Sequence, residues 1–447
     1  MTTALTTEKR ILTSIYCVSF AGPFVSTAIT VAIPQMAAEF GVLPNRLSEM
    51  IAFFLMVTAA ALLPCGKLSD IYGRRKVYTR ALVVFLITTL AAGFTPSLIW
   101  LLCCYIAQGF ALAAIYVSYM PLLLATTAED RQGHVLGRAV ALTYGGLSCG
   151  PVMGGFLLQA LGWRCIFFVT AGLILLSYIA IRPVRDEWYA KGAPFVNIMS
   201  TLLSAPAIML CLYGLSTASP IYIGGGLGLL GLFVFHESRS YHPILPLYIF
   251  RNLTFSLANL ASFIQYSATY AVSFLISLYA QLVLQLSPAL TGLLLVVQPI
   301  FIALLSTKAG DLADTYGCQY LSALGLLLTT LGLGGLGLTA THSLVTLAFF
   351  LCLIGIGAAF FGAPNNKAIM SSVKPAYHGL ASSMLALARN LGQAISMSVV
   401  TLFLTTQAAR TSDYSLVVAA TTQTGFTVFA ILCATAMACA LIRRPQR

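Results

Sequence analysis

"CGKLSDIYGRRKVY", Cys65 to Tyr78, gathers Lys67, Asp70, Arg74, Arg75 and Lys76 into fourteen positions of a 447-residue chain in which only 8% of residues are charged. The chain around it is 59% hydrophobic, with a mean hydropathy of +0.91. A soluble domain is roughly 45–50% apolar, so this chain belongs in a bilayer, and charge this dense marks a loop between two spans. Working outward, apolar runs at 47–66 and 77–95 flank the loop. Similar runs, near or above the roughly 20 residues that cross hydrocarbon, recur along the whole chain. Fourteen can be drawn, from 11–36 to 422–442, the eighth (221–236) being the shortest. Continuous apolar runs predict a helical bundle, because a membrane barrel would show short alternating strands.

The charged loop has a second copy. "GDLADTYG", Gly310 to Gly317, matches "GKLSDIYG", Gly66 to Gly73, at an offset of 244 residues. "QGHVLGRAVALTYGG", Gln132 to Gly146, echoes "HGLASSMLALARNLG", with Gly146 matching Gly392 at an offset of 246. Both displacements equal eight spans. The expected plan is therefore two parallel six-span repeats, residues 1–185 and 251–447, separated by a linker at 186–250 that carries two additional spans. Parallel repeats about an axis along the membrane normal place a cavity between the halves near midplane.

The excess of 24 Lys and Arg over 12 Asp and Glu is explained by topology rather than by nucleic acid. With both termini in the cytoplasm, 20 of the basic residues fall on that side, Arg46, Arg164 and Arg410 fall outside, and Arg389 lies within a span. Trp100 and Trp163 sit near outer span ends, where an aromatic belt belongs. Lys9 and Arg10 precede an apolar run of about 26 residues, longer than a signal-peptide core, so it is read as a retained span. Most of the 11 cysteines lie in apolar runs without a C-x-x-C pair, and the 5 histidines are dispersed, which indicates neither disulfides nor a metal site. No phosphate-binding G-x-x-x-x-G-K-[ST] loop occurs. No cofactor is expected, and no catalytic constellation suggests an enzyme.

"GKLSDIYGRRK" resembles the loop signature of the major facilitator superfamily, and "GGLSCGPVMGG", Gly145 to Gly155, resembles its antiporter motif in the fifth span. With "GWRCIFFV", "APNNKAIMSSV" and "ARNLGQ", the whole chain is similar to the fourteen-span drug:proton antiporters. The resemblance implies efflux of hydrophobic or amphipathic small molecules by alternating access, driven by protons, from a multi-pass protein of the cell membrane. An exporter or facilitator of one metabolite without tight proton coupling is the nearest alternative. A non-transporting membrane sensor is a different class, disfavoured by the lack of a long extramembrane segment. A monomer in the lipid bilayer is expected.

The loop is read as a conformational switch formed by Gly66, Asp70, Gly73, Arg74 and Arg75, with Asp314 from the second copy, where Cys318 and Gln319 replace the basic pair. Asp70 can pair with Arg74 and face a positive helix N-terminus, which the resemblance assigns to the thirteenth span. The basic residues alone would also serve as topology determinants. Gly146, Gly150 and Gly154, with Pro151 and Gly155, form a gating helix or, more plainly, a close-packing stripe. Cavity candidates are Gln108, Tyr116, Gln265, Tyr266, Tyr270, Asn366, Arg389 and Asn390. The resemblance leads one to expect a first-span acid and a fourth-span arginine, but Val25 and Tyr105 stand at those positions. No carboxylate falls in the middle of a span. Arg389, as an intramembrane cation costing about 2.5–3.5 kcal/mol to insert, should face the bundle interior, with Asn390, tyrosines or free carbonyls as partners.

Overall fold

The computed structural model describes residues 2–127, 129–189, 198–240, 245, 247–339, 343–373, 378–411 and 413–442. Most of those residues are helical, and none of them lies in a strand. The first six helices are α1 (Thr2–Phe40), α2 (Pro44–Tyr72), α3 (Arg74–Gly93), α4 (Leu98–Thr126), α5 (Glu129–Leu161) and α6 (Arg164–Ile181). Helices α7 (Ile198–Ser216) and α8 (Pro220–Arg239) follow. The last half holds α9 (Leu253–Thr269), α10 (Val272–Leu278), α11 (Pro288–Leu295), α12 (Val297–Tyr316), α13 (Cys318–Leu338), α14 (Leu344–Ser371), α15 (His378–Ala408) and α16 (Tyr414–Ile442). Thirteen helical segments among the described residues are long and apolar enough to cross a membrane, and α5 runs alongside them against α1. The arrangement is two six-span halves with an inserted pair. With fourteen spans, α1 begins and α16 ends on the same side, called here the termini face; the other is the far face.

The expected ninth and tenth spans are not continuous. The ninth breaks at Tyr270–Ala271 and ends in a π-turn, Tyr279–Val283, while the tenth divides between α11 and α12 and extends to Tyr316. The first break is stabilised from outside the helix, since the Ala271 amide donates to Ser396 Oγ of α15 at 3.0 Å. Non-helical backbone at membrane depth needs such a partner. The second has a local cause: Pro299 has no amide to offer the Leu295 carbonyl.

Lipid gives little hydrophobic incentive for helices to associate, so close packing and buried hydrogen bonds carry the interior. In the first half the fully buried hydroxyl of Ser14 lies 3.1 Å from Tyr78 OH and 2.8 Å from Ser177 Oγ, joining α1, α3 and α6. At the far face Glu39 accepts from Trp163 Nε1 at 2.6 Å and pairs with Arg164 at 2.6 Å, tying α1 to α6. The inserted pair packs through α7 on α2 and α15, while Ile221, Leu227, Leu232 and Phe235 of α8 remain exposed, as a lipid-facing helix requires. Buried Glu237 accepts from Ser200 at 2.7 Å and from the Leu245 amide at 2.6 Å, holding the end of α8 to α7.

The repeat has a physical reading. Gly73 and Gly317 end the two copies of the loop motif with φ of 102° and 89°, a region that side-chain-bearing residues rarely adopt. Each lets one helix stop and the next begin at once. Residues one repeat apart also meet on the axis between the halves: Ser26 Oγ lies 3.1 Å from Tyr270 OH, 244 positions away.

Candidate functional site

A cavity of about 320 Å³ lies between the halves, lined by α1 to α5 on one side and by α9 to α12, α14 and α15 on the other. Seven of the eight cavity candidates line it: Gln108, Tyr116, Gln265, Tyr266, Tyr270, Arg389 and Asn390. Asn366 does not; it is exposed on α14, while its neighbour Asn365 is buried and donates to the Ala258 carbonyl at 3.1 Å and to Ser262 Oγ at 2.7 Å. Tyr105, Tyr119 and Tyr144 join the lining, so six tyrosines surround the space. Tyr119 could have been found from its i+3 relation to Tyr116; nothing local distinguishes Tyr144. Val25 also lines the cavity, and no Asp or Glu is present among the described lining residues.

Several of these polar groups are satisfied by protein. Gln108 Nε2 donates to Thr89 Oγ1 at 3.4 Å, Cys433 donates to Gln265 Oε1 at 3.2 Å, and Asn390 Nδ2 donates to the Ala386 carbonyl of its own helix at 2.7 Å. The Arg389 guanidinium lies 5.9 Å from the centroid of the Tyr116 ring, across the gap between the halves.

The far side of the cavity is closed. Ser277 Oγ and Gln281 Nε2 donate to the Thr30 and Val31 carbonyls of α1, each at 3.0 Å. Thr401 of α15 reaches Ser48 of α2 at 3.2 Å. Helices α5 and α11 touch backbone to backbone, so that a methyl on Gly155 would lie 2.5 Å from the Pro288 carbonyl oxygen and one on Gly292 would overlap that of Pro151. Within the first half, Gly146, Gly150 and Gly154 bring α5 against α1: a methyl would strike the Phe20 carbonyl, Thr27 Oγ1 and Ala28 respectively. Pro151, in the same turn, faces the cavity.

At the termini face Asp70 Oδ1 lies 3.5 Å from Arg74 Nη2, with both side chains partly exposed. The positive start of α3 is occupied by an acid not singled out from the sequence. Glu187 accepts from the Arg75 amide at 2.8 Å and the Lys76 amide at 3.2 Å, which suits a carboxylate at a helix N-terminus. Gly73 also makes room for it, since a methyl there would overlap the Glu187 carboxylate. Gly66 faces Val117 of α4 at ordinary contact distance. The side chain of Asp314 lies outside the described residues.

A model of the Major Facilitator Superfamily matches residues 15–251 and 258–447. Among curated relatives, the riboflavin transporter RibZ of Clostridioides difficile is 27% identical over 401 residues, covering 87% of this chain and 86% of that one. The multidrug resistance protein Stp of Mycobacterium tuberculosis is 26% identical over 382 residues, covering 83% and 71%. Among solved structures, a POT family transporter aligns with a TM-score of 0.73 at 14% identity, covering 97% and 94%. A bacterial homologue of the lysosomal transporter Spinster aligns with a TM-score of 0.71 at 13% identity, covering 98% and 96%.

Proposed function

Since the chain belongs to the major facilitator superfamily and is a multi-pass membrane transporter, we propose that it exports amphipathic small molecules by alternating access. The carrying observation is the tyrosine-rich cavity between the halves, closed at the far face. Rings with a polar edge accommodate many flat ligands through apolar contact and adaptable hydrogen bonds. Relatives named for riboflavin and multidrug transport fit that lining. The functional units are residues 1–185, 186–250 and 251–447. The positive-inside rule puts the termini face in the cytoplasm, which makes this arrangement inward-facing.

Coupling is the point at which this chain departs from a proton antiporter. No described lining residue can carry a proton as a carboxylic acid, so export is driven by the ligand's own gradient or charge. Purified protein in liposomes loaded with a planar fluorescent compound tests both parts. Flux above that of protein-free liposomes is expected, with less than about a twofold response to an imposed pH gradient, far below the tenfold expected if one proton were obligatorily coupled across one pH unit. Absence of flux across a compound panel would sink the transport reading. Strong uphill transport driven by pH would instead place the coupling acid at the periphery, with Asp70 and Glu49 first.

Asp70 is proposed as a latch. In the inward-facing arrangement it is held only by Arg74, a partly exposed pair worth about 0–1 kcal/mol. In the opposite arrangement it would face the N-terminus of α15, an interaction of about 0.3–2 kcal/mol that moves a conformer ratio up to about thirtyfold. Asp70→Asn should therefore insert normally and lose most transport. A well-expressed Asp70→Asn protein with normal flux would leave the loop as a topology determinant alone.

A further inference from the structure

Arg389 is the only charged side chain among the described residues that line the cavity. It is half-buried, forms no hydrogen bond or ion pair with the described residues, and has one aromatic neighbour in cation–π range, Tyr116 at 5.9 Å. That distance is at the limit of such contacts. It leaves a planar fork of five donors facing a space walled by Tyr116, Tyr119 and Tyr144 from one half and Tyr266 from the other. The adjacent Asn390 donates through Nδ2 to the Ala386 carbonyl of its own helix, and no hydrogen bond joins it to Arg389. A structural cation would be expected to have its donors filled by carbonyls or carboxylates; this one does not.

We infer that the cavity selects planar aromatic anions, carboxylates or sulfonates, with the acid group on Arg389 and the ring system between the tyrosines of the two halves. A guanidinium recognises such groups through two parallel hydrogen bonds, which a lysine cannot reproduce. The surrounding low-polarity wall strengthens attraction for an anion and repulsion for a cation alike. Discrimination between two dyes of one shape and opposite charge is therefore the natural readout. The inference names the ligand class of the cavity invoked for transport, and its test is one of binding, separate from flux.

Fluorescence polarisation with 5-carboxyfluorescein and rhodamine 123, both flat xanthenes, is measured on the full-length protein in phosphatidylcholine nanodiscs, whose headgroups carry no net charge. Wild type should bind the anionic dye at least about tenfold more tightly than the cationic one, as expected for a single unpaired charge in a low-dielectric site. Arg389→Gln should bring the two affinities within about threefold by weakening the anionic dye and sparing or tightening the cationic one, and Arg389→Lys should keep part of the preference. Removing an intramembrane charge favours insertion, so Arg389→Met replaces the Gln variant if that one is poorly made. Equal affinities in wild type, no binding of carboxyfluorescein, or a ratio unchanged by the Gln or Met variant would each overturn the inference. Charge-selective binding without liposome flux would refute transport and leave the ligand class standing.

Discussion

Replacing Gly292 by valine is expected to open the far-face closure and shift the protein toward its outward-facing state. The glycine meets the backbone of α5 at Pro151 and Val152, and a first side-chain carbon would overlap the Pro151 carbonyl oxygen while lying 2.8 Å from its carbon. Neither helix backbone can turn aside as a flexible side chain could. Overpacking of this kind costs about 1–3 kcal/mol. Because the strain exists only while α5 and α11 touch, it falls on one conformer and moves the ratio about 5- to 150-fold. Spin labels at Arg46→Cys and Arg410→Cys, in a background without the eleven native cysteines, would report the far-face separation. A longer distance should become the major population. An unchanged distribution would mean that α5 and α11 do not form the closure.

Gly150→Leu should have a different outcome, loss of folded protein rather than a shift between states. Gly150 lies within the first half, where a methyl would overlap Thr27 Oγ1 and sit 2.7 Å from the Phe24 carbonyl oxygen. That contact persists in either conformer if the half moves as a unit, so the strain has no state in which to relax. Thr27 already donates to the carbonyl of Pro23 at 3.0 Å and reaches that of Leu147 at 3.5 Å, and the bulkier residue would displace it from both. At more than about 3 kcal/mol, the upper end of ordinary overpacking costs, the yield of monodisperse protein should fall by about tenfold or more. Gly172→Ala, at a position with open space around it, is the control and should change stability by less than about 0.5 kcal/mol. Equal yields of the two variants would show that α1 and α5 are not locked at Gly150.

Residence in a bilayer, the number of spans and the two-half plan were legible in the amino-acid order, because hydropathy and charge act on each segment without reference to its neighbours. The two loop copies also declared the symmetry, since Gly73 and Gly317 answer the same backbone demand wherever the halves are placed. Most polar cavity candidates could be listed from span membership alone. What a span does not reveal is which way a side chain points: Asn366 turns outward, while Tyr144 joins a wall that no local signal announces. Contacts between distant segments were likewise decided only by the tertiary structure. Glu187 reaches the first turn of α3 across more than a hundred residues, and the α9 break depends on Ser396, 125 positions on. Arg389 shows the division most clearly. Its placement inside a span was evident from the sequence, but only packing decided that its guanidinium has no hydrogen-bond or ion-pair partner among the described residues and stands 5.9 Å from the centre of the Tyr116 ring.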